Sequence, residues 1–140
     1  MSGQPVSTAS QIAIQALNLL SARDFDALAG LLAADVKLDW PYHHSGSPVV
    51  IEGVDAFLKA VRVIEVFKDL EIRIVDVCES KETGTTIIEA RSRGTYSSDR
   101  PSYTNHYLFM LTVVGGRVVV WREFYNPLEV LKVSARPVKE

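Results

Sequence analysis

One carboxylic acid, Glu123, lies where its surroundings would change its chemistry. Residues alternate along the segment 117–125 as in a β-strand, so Trp121, Glu123 and Tyr125 share one face. A carboxyl held against aromatic rings and away from water favours its neutral form, which raises its pKa. Such a group suits general acid or base catalysis near neutral pH, and Glu123 is the first catalytic candidate. Alternatively, Glu123 forms a structural ion pair with one of three arginines: Arg91, Arg93 or Arg122.

The segment 103–113 carries the next set of polar side chains. His106 is a second catalytic candidate, because a histidine can titrate or hydrogen-bond a ligand near neutral pH. Asn105 and Tyr107 flank it and face the opposite side of a strand, so only one of the two sets faces the interior. The sequence leaves that choice open, together with a structural role for His106. Tyr103, Asn105 and Tyr107 could orient a ligand in an apolar pocket or serve ordinary packing.

Trp40 ends a short alternating strand, 36–40, and two histidines follow in the next segment. Trp40 is predicted to form a pocket wall, with simple core filling as the alternative. His43 and His44 are adjacent, and neighbours on an extended chain point in opposite directions, so they chelate a metal poorly. Because zinc sites usually take three protein ligands, we predict no metal site. The loop could instead form a rim over the mouth of a pocket.

Composition excludes several classes of function. The chain has 140 residues and 47% hydrophobic content, which suits one domain with a sizeable core. Lys and Arg total 15 and Asp and Glu total 17, and this balance argues against nucleic-acid binding, which needs a basic excess. Cys78 is the only cysteine, so neither an intrachain disulfide nor a multi-cysteine zinc site can form.

Hydropathy predicts no membrane association. Residues 1–10 lack the basic residues that begin a secretory signal. No segment approaches the roughly 20 apolar residues that span a bilayer. The sequence therefore predicts a soluble, cytoplasmic protein.

Helical patterns come first along the chain and strand patterns follow. Apolar residues recur with a helical period over 12–20 and 25–32, and Gly53 begins a third helical pattern. The strand patterns lie at 36–40, 49–51, 70–77, 85–96, 103–113 and 117–125. Gly115 and Gly116 mark a hairpin between the last two, and 128–133 could add one helical turn. The predicted fold class is α+β, with three helices in the N-terminal half on one face of a curved antiparallel sheet.

Specific motifs on the last two strands resemble a known group of proteins. They are Asn-His-Tyr at 105–107, Gly-Arg-Val at 116–118, Arg-Glu-Phe at 122–124 and Asn-Pro at 126–127. These resemble the SnoaL-like branch of the nuclear transport factor 2-like superfamily, and most of all the phenazine-biosynthesis A/B proteins. The resemblance covers about residues 8 to 132. It implies a cone-shaped sheet around a pocket for small hydrophobic molecules, and homodimers that pair through their sheets.

The resemblance also bears on individual residues. In the phenazine proteins the Glu that matches Glu123 is the proposed acid/base residue, but their third-helix His falls near Lys59 here. Ketosteroid isomerases of the same fold carry a catalytic Asp where this chain has Trp40. Their oxyanion-hole Tyr falls on Ala16. Classical steroid isomerisation by that residue set is therefore not expected.

These observations lead to two functional hypotheses for a single domain, 1–140, with a core at 8–132 and a flexible tail at 134–140. In the first, the cone binds a small hydrophobic metabolite, cyclic or carbonyl-bearing, and Glu123 performs isomerase, cyclase or dehydratase chemistry without a cofactor. Trp40, Tyr103, Asn105, Trp121 and Tyr125 would line the site. In the second, the domain binds a ligand or dimerises without turnover. Both hypotheses predict a homodimer and neither predicts a nucleic-acid or membrane partner.

Overall fold

The computed structural model describes residues 7–134, which form helices packed on one six-stranded sheet. The helices are α1 (Thr8–Ser21), α2 (Phe25–Ala29), α3 (Val54–Val61) and α4 (Pro127–Ser134), with a 3₁₀ helix at Arg62–Val66. The strands are β1 (Leu32–Trp40), β2 (Val49–Glu52), β3 (Asp69–Ser80), β4 (Thr85–Thr95), β5 (Tyr103–Val114) and β6 (Arg117–Phe124). The predicted α+β class with three helices in the N-terminal half is confirmed.

The sheet is mixed, which corrects the prediction of a purely antiparallel sheet. Its strand order is β2-β1-β6-β5-β4-β3, and every neighbouring pair is antiparallel except β1 and β6. The β5–β6 hairpin turns at Gly115 and Gly116, whose φ angles of 60° and 81° match the mirror-image turns that hairpins favour. The β1–β6 pair joins the first and last strands. Because these strands are far apart in the sequence, no local turn signal predicts their contact.

The core lies between the helices and the inner face of the sheet. Its largest fully buried side chains include Trp121 of β6, Phe109 of β5 and Phe57 of α3. The Phe57 and Trp121 rings meet edge to face with centroids 5.3 Å apart, a favoured aromatic geometry. Register shifts interrupt the β1–β6, β3–β4 and β5–β6 ladders, and such bulges bend strands. The core fills one end of the curved sheet and leaves the other end open.

Arg23 ties the helical hairpin to the open end. It has a φ of 59°, an uncommon value for a residue with a side chain. Its guanidinium donates to the carbonyl of Phe67 at 2.6 Å and reaches that of Ile64 at 3.5 Å. These bonds hold the end of the 3₁₀ helix against the α1–α2 connection.

Two helix boundaries differ from the sequence prediction. The α2 helix ends at Ala29, and Leu32 begins β1 instead of continuing the helical stripe. The C-terminal segment forms an eight-residue helix, α4, instead of a single turn. The predicted tail at 134–140 lies outside the described residues, apart from Ser134 at the end of α4. Within residues 7–134, no helix is long and apolar enough to cross a membrane.

Candidate active site

A cavity of about 300 Å³ opens between the inner face of the sheet, the 3₁₀ helix and α4. Aliphatic residues of the 3₁₀ helix and α4 form one side. Aromatic residues line the rest: Trp40, Phe67, Tyr96, Tyr103, Tyr107 and Tyr125. Three ionisable non-tyrosine side chains also line it: His44, Arg100 and Glu123. Small-molecule sites typically combine mostly apolar walls with a few polar groups in this way, and this volume is near the lower end of their range.

Glu123 is the carboxyl that lines this cavity. Its Oε1 accepts a hydrogen bond from the Trp121 indole at 3.1 Å. Burial raises the pKa of Glu123 to about 7, and the indole N–H groups of Trp121 and Trp40 offset part of that rise. Protein atoms surround the Glu123 side chain, and the part of its surface that stays exposed faces the cavity. No ion pair among the described residues includes Glu123, and Arg122 instead binds Asp39 at 2.9 Å.

Trp40 contributes an unpartnered donor to the same cavity. Its Nε1 is buried and has no hydrogen-bond partner within the described chain. The indole still lies near enough to Glu123 to favour the carboxylate and lower its pKa, although the geometry is not that of a hydrogen bond. A buried donor without a partner is costly. Ligand or water oxygen, or a small rotation of Glu123, would satisfy it.

The hydroxyl groups of Tyr103 and Tyr107 lie 3.0 Å apart on β5. Ser92 of β4 donates to the Tyr107 hydroxyl at 3.0 Å, and the Asn105 amide donates to the Tyr103 hydroxyl at 2.7 Å. Burial raises the pKa of Tyr103 to about 12 and that of Tyr107 well above its usual value. Both phenols therefore remain protonated at neutral pH and can act as hydrogen-bond donors.

Asn105 supports this pair without lining the cavity, which corrects the expectation that it contacts the ligand. Its amide nitrogen donates to the Tyr103 hydroxyl and, at 3.0 Å, to the carbonyl of Asn126. Its side-chain oxygen accepts from the backbone N–H of His106 at 2.8 Å and that of Asn126 at 2.9 Å. Two amide protons and two lone pairs exhaust its capacity. Asn105 therefore holds Tyr103 and the start of α4 in position.

His44 brings a second titratable group to the cavity mouth. The Tyr125 hydroxyl lies 3.1 Å from His44 Nδ1 and 3.2 Å from its backbone nitrogen. The His43 and His44 rings are 4.1 Å apart, so the expectation that they point in opposite directions was wrong. The loop turns at this point instead of running extended. Burial, and then the neighbouring His44, lower the pKa of His43.

Trp121 and His106 lie outside the cavity lining. Trp121 is 0% exposed and packs beneath the carboxyl that it binds. His106 faces the other side of β5, where its Nε2 lies 2.7 Å from Glu89 on the exposed surface. The structure thus settles the choice left open by the sequence: Tyr103, Asn105 and Tyr107 face inward and His106 faces outward. Across residues 7–134, no group of three or more His, Cys, Asp or Glu side chains could hold a metal ion.

Sequence reasoning missed Arg100, Tyr96 and Phe67. Arg100 lies over the Tyr96 ring at 4.0 Å and donates to the carbonyl of Val133 in α4 at 3.3 Å. Phe67 stacks on Tyr103 with ring centroids 5.6 Å apart. All three residues lie in or beside connecting segments. Strand alternation does not predict the positions of residues in such segments. These three residues could have been found only from the way the loops come together at the cavity mouth.

Solved structures share this fold at low sequence identity. An isomerase candidate from Bacillus subtilis is 22% identical, covers 95% of this chain and 96% of its own, and has a TM-score of 0.80. A phenazine biosynthesis-related protein from Pseudomonas aeruginosa is 20% identical, with coverage of 100% and 91% and a TM-score of 0.72. A protein from Catenulispora acidiphila with a ketosteroid isomerase-like fold, solved with trimethylamine, is 18% identical, with coverage of 90% and 93% and a TM-score of 0.73.

These likenesses confirm the expected nuclear transport factor 2-like fold. A search of curated proteins found no match. The model of the SnoaL-like domain matches residues 13–121, which include most of α1, the core and most of the sheet. The chain belongs to the SnoaL-like domain family.

Proposed function

We propose that the cavity binds a small hydrophobic, cyclic or carbonyl-bearing metabolite and that Glu123 moves a proton on it, in an isomerase-type reaction. The observation that carries this proposal is the carboxyl with a pKa of about 7 at an aromatic cavity. A group whose pKa lies near the working pH is present in both protonation states, so it can accept a proton and return it. Cyclase and dehydratase reactions use the same proton transfers and belong to the same proposal.

The environment of Glu123 supports a base in a water-poor site. Burial weakens the solvation of the carboxylate and makes it a stronger base than a free side chain. The Trp121 N–H, 3.1 Å from Oε1, keeps the carboxylate oriented when it is charged. Carbon acids next to a carbonyl are the substrates for which such a base is useful, because loss of their proton is assisted by the carbonyl oxygen.

The lining of the cavity supports the substrate class. Six aromatic side chains give flat apolar walls that suit a ring, and the volume of about 300 Å³ restricts the ligand to a small one. The phenols of Tyr103 and Tyr107 and the indole N–H of Trp40 supply donors for one or two ligand oxygens. The ligand would therefore carry its oxygen toward these donors on the sheet.

Binding without turnover is the second candidate, and one feature favours it. Aromatic faces around a single carboxylate also suit a compact amine, since cations are attracted to aromatic rings. The related structure from Catenulispora acidiphila contains trimethylamine. The two candidates differ in pH dependence: amine binding strengthens as Glu123 ionises above pH 7, and it produces no proton exchange.

The direct test is solvent deuterium exchange. A panel of small cyclic ketones and enones is incubated with the protein in heavy water, and NMR follows the loss of protons next to the carbonyl. We expect exchange with at least one compound, reduced at least 100-fold in Glu123→Gln. His106→Gln is the matched control, because it removes a titratable group from the outer face of the neighbouring strand. Equal exchange by wild type and Glu123→Gln would remove Glu123 from the reaction.

The homodimer stays part of the proposal, through the outer face of the sheet. Leu108 is 41% exposed there, and it pairs in register with Phe124 of β6. The next register pair on this face, Met110 and Arg122, extends the same surface. Sedimentation velocity at micromolar concentration measures the oligomeric state directly.

A further inference from the structure

A donor count on β5 leaves one phenol proton without a partner. The Tyr103 oxygen accepts the Asn105 amide proton at 2.7 Å, and the Tyr107 oxygen accepts the Ser92 hydroxyl proton at 3.0 Å. The two phenols share one further hydrogen bond, 3.0 Å long, which uses one of their two protons. Both residues line the cavity. These three bonds leave the other phenol proton without an acceptor among the described residues.

We propose that the Tyr103 hydroxyl donates this proton to a ligand oxygen and forms an oxyanion-binding subsite in the cavity that Glu123 also lines. When Tyr107 donates to Tyr103, the Tyr103 oxygen receives two hydrogen bonds, and its own O–H is left to point into the cavity. Each bond received polarises that O–H and strengthens it as a donor. The pKa shifts agree with Tyr107 as the donor. The hydrogen bond between the two phenols lowers the pKa of Tyr103, the acceptor, and raises that of Tyr107.

Asn105 acts on this subsite as a positioning residue. Its four hydrogen bonds fix the amide, and the amide in turn fixes the oxygen of Tyr103. Phe67 stacks on the Tyr103 ring, with centroids 5.6 Å apart. The phenol is therefore held before any ligand arrives, and pre-oriented donors are the ones that stabilise developing charge most effectively.

The catalytic consequence rests on the proposed function of Glu123. The carboxylate takes a proton from the carbon next to a carbonyl, the C–H bond breaks, and its electron pair forms a carbon–carbon double bond. The carbonyl π electrons move to oxygen, and the resulting negative charge accepts the Tyr103 hydrogen bond. In a β,γ-unsaturated carbonyl compound, Glu123 returns the proton to the γ carbon. The oxygen electron pair re-forms the C=O bond and the carbon–carbon double bond ends at the α,β position, so the isomerisation needs no oxidant or reductant. Loss of one such donor typically lowers kcat by about 100- to 1,000-fold.

The subsite can be tested without turnover, using 4-nitrophenol as the probe. Its phenol and phenolate forms absorb at different wavelengths, so the spectrum reports which form is bound. We expect Glu123→Gln protein to bind the phenolate, because the competing negative charge is gone. Adding Tyr103→Phe should weaken phenolate binding roughly 10- to 100-fold, the range for a hydrogen bond to a charged group. Tyr107→Phe should weaken it less, because the Tyr103 donor remains.

Matched variants separate the subsite from general damage. Tyr42→Phe is the control, since Tyr42 is 65% exposed and does not line the cavity. Asn105→Ala should weaken phenolate binding in the presence of Tyr103 and add nothing once Tyr103 is Phe, a coupling that mere destabilisation would not produce. Unchanged phenolate binding in Tyr103→Phe, a larger loss in Tyr107→Phe, or no 4-nitrophenol binding at all would each overturn the assignment. Phenolate binding without deuterium exchange in wild type would keep the subsite and reject the proposed catalysis.

Discussion

The unfolding free energy should depend on pH through Glu123 in a predictable way. The folded carboxyl has a pKa of about 7, against a usual value of 4.5. Between these two values the folded chain holds a proton that the unfolded chain has released. The free energy of unfolding therefore falls as pH rises from 4.5 to about 7, and this contribution is constant above and below that window.

The magnitude follows from the width of the window. At about 1.4 kcal/mol per pH unit, the interval from 4.5 to about 7 corresponds to about 3 kcal/mol. Glu123→Gln has almost the same shape, accepts the same Trp121 N–H, and cannot ionise. Its unfolding free energy, measured relative to wild type, should thus increase by about 3 kcal/mol between pH 4.5 and 8.

Urea denaturation of both proteins at half-unit pH steps measures this difference. The titration of all other groups is common to the two proteins and cancels to first order. His106→Gln serves as the control, because its side chain lies on the exposed face of the sheet. A wild-type minus Glu123→Gln difference that stays constant across the window would mean that the carboxyl titrates normally and that burial does not raise its pKa.

Three further predictions concern the walls, the carboxyl's partner and the outer face. Gly94→Ala would place a Cβ 2.5 Å from the Phe67 ring, so the ring must shift; we expect about 1–3 kcal/mol lower stability in urea denaturation, and no loss would mean the ring yields freely. Trp121→Phe removes the N–H that favours the carboxylate, so the NMR pKa of Glu123 should rise above about 7; a fall would contradict that bond's role. Leu108→Asp should convert a dimer to monomer in sedimentation, and an unchanged dimer would exclude this face as the interface.

Strand alternation predicted which residues of β6 share a face. It placed Trp121, Glu123 and Tyr125 on one face, and the structure brings all three to the inner side of the sheet. The physical basis is simple, because side chains of a strand alternate and one face of this sheet is covered by helices. The resemblance to SnoaL-like proteins also predicted the fold, because the motifs that carry it lie on the last two strands.

Alternation could not decide the orientation of β5. Leu108 and Met110 are apolar on the outer face, and Phe109 and Leu111 are apolar on the inner face, so the segment looks the same from both sides. The orientation of His106 depended on that choice. The structure resolves it through Phe109 and Leu111, which are buried against the helices.

Long-range and loop geometry lay beyond the sequence patterns. The parallel contact of β1 with β6 pairs Leu38 with Trp121, far apart in the chain, and no local signal encodes it. The same limit applies to Arg100 and to His44, whose places at the cavity depend on how loops fold back over the sheet. Asn105 was assigned to the ligand because its chemistry suits binding, whereas the Tyr103 hydroxyl and three backbone groups take up all four of its hydrogen bonds.

The proposed chemistry depends on Glu123 retaining its proton to neutral pH. Carbon-13 NMR of the side-chain carboxyl carbons of glutamate, with the Glu123 signal assigned by its absence in Glu123→Gln, measures this pKa directly. We expect a midpoint near pH 7. A midpoint near 4.5, the usual value, would show that water or a charged partner solvates the carboxylate, and Glu123 would lose its basis as the acid/base group.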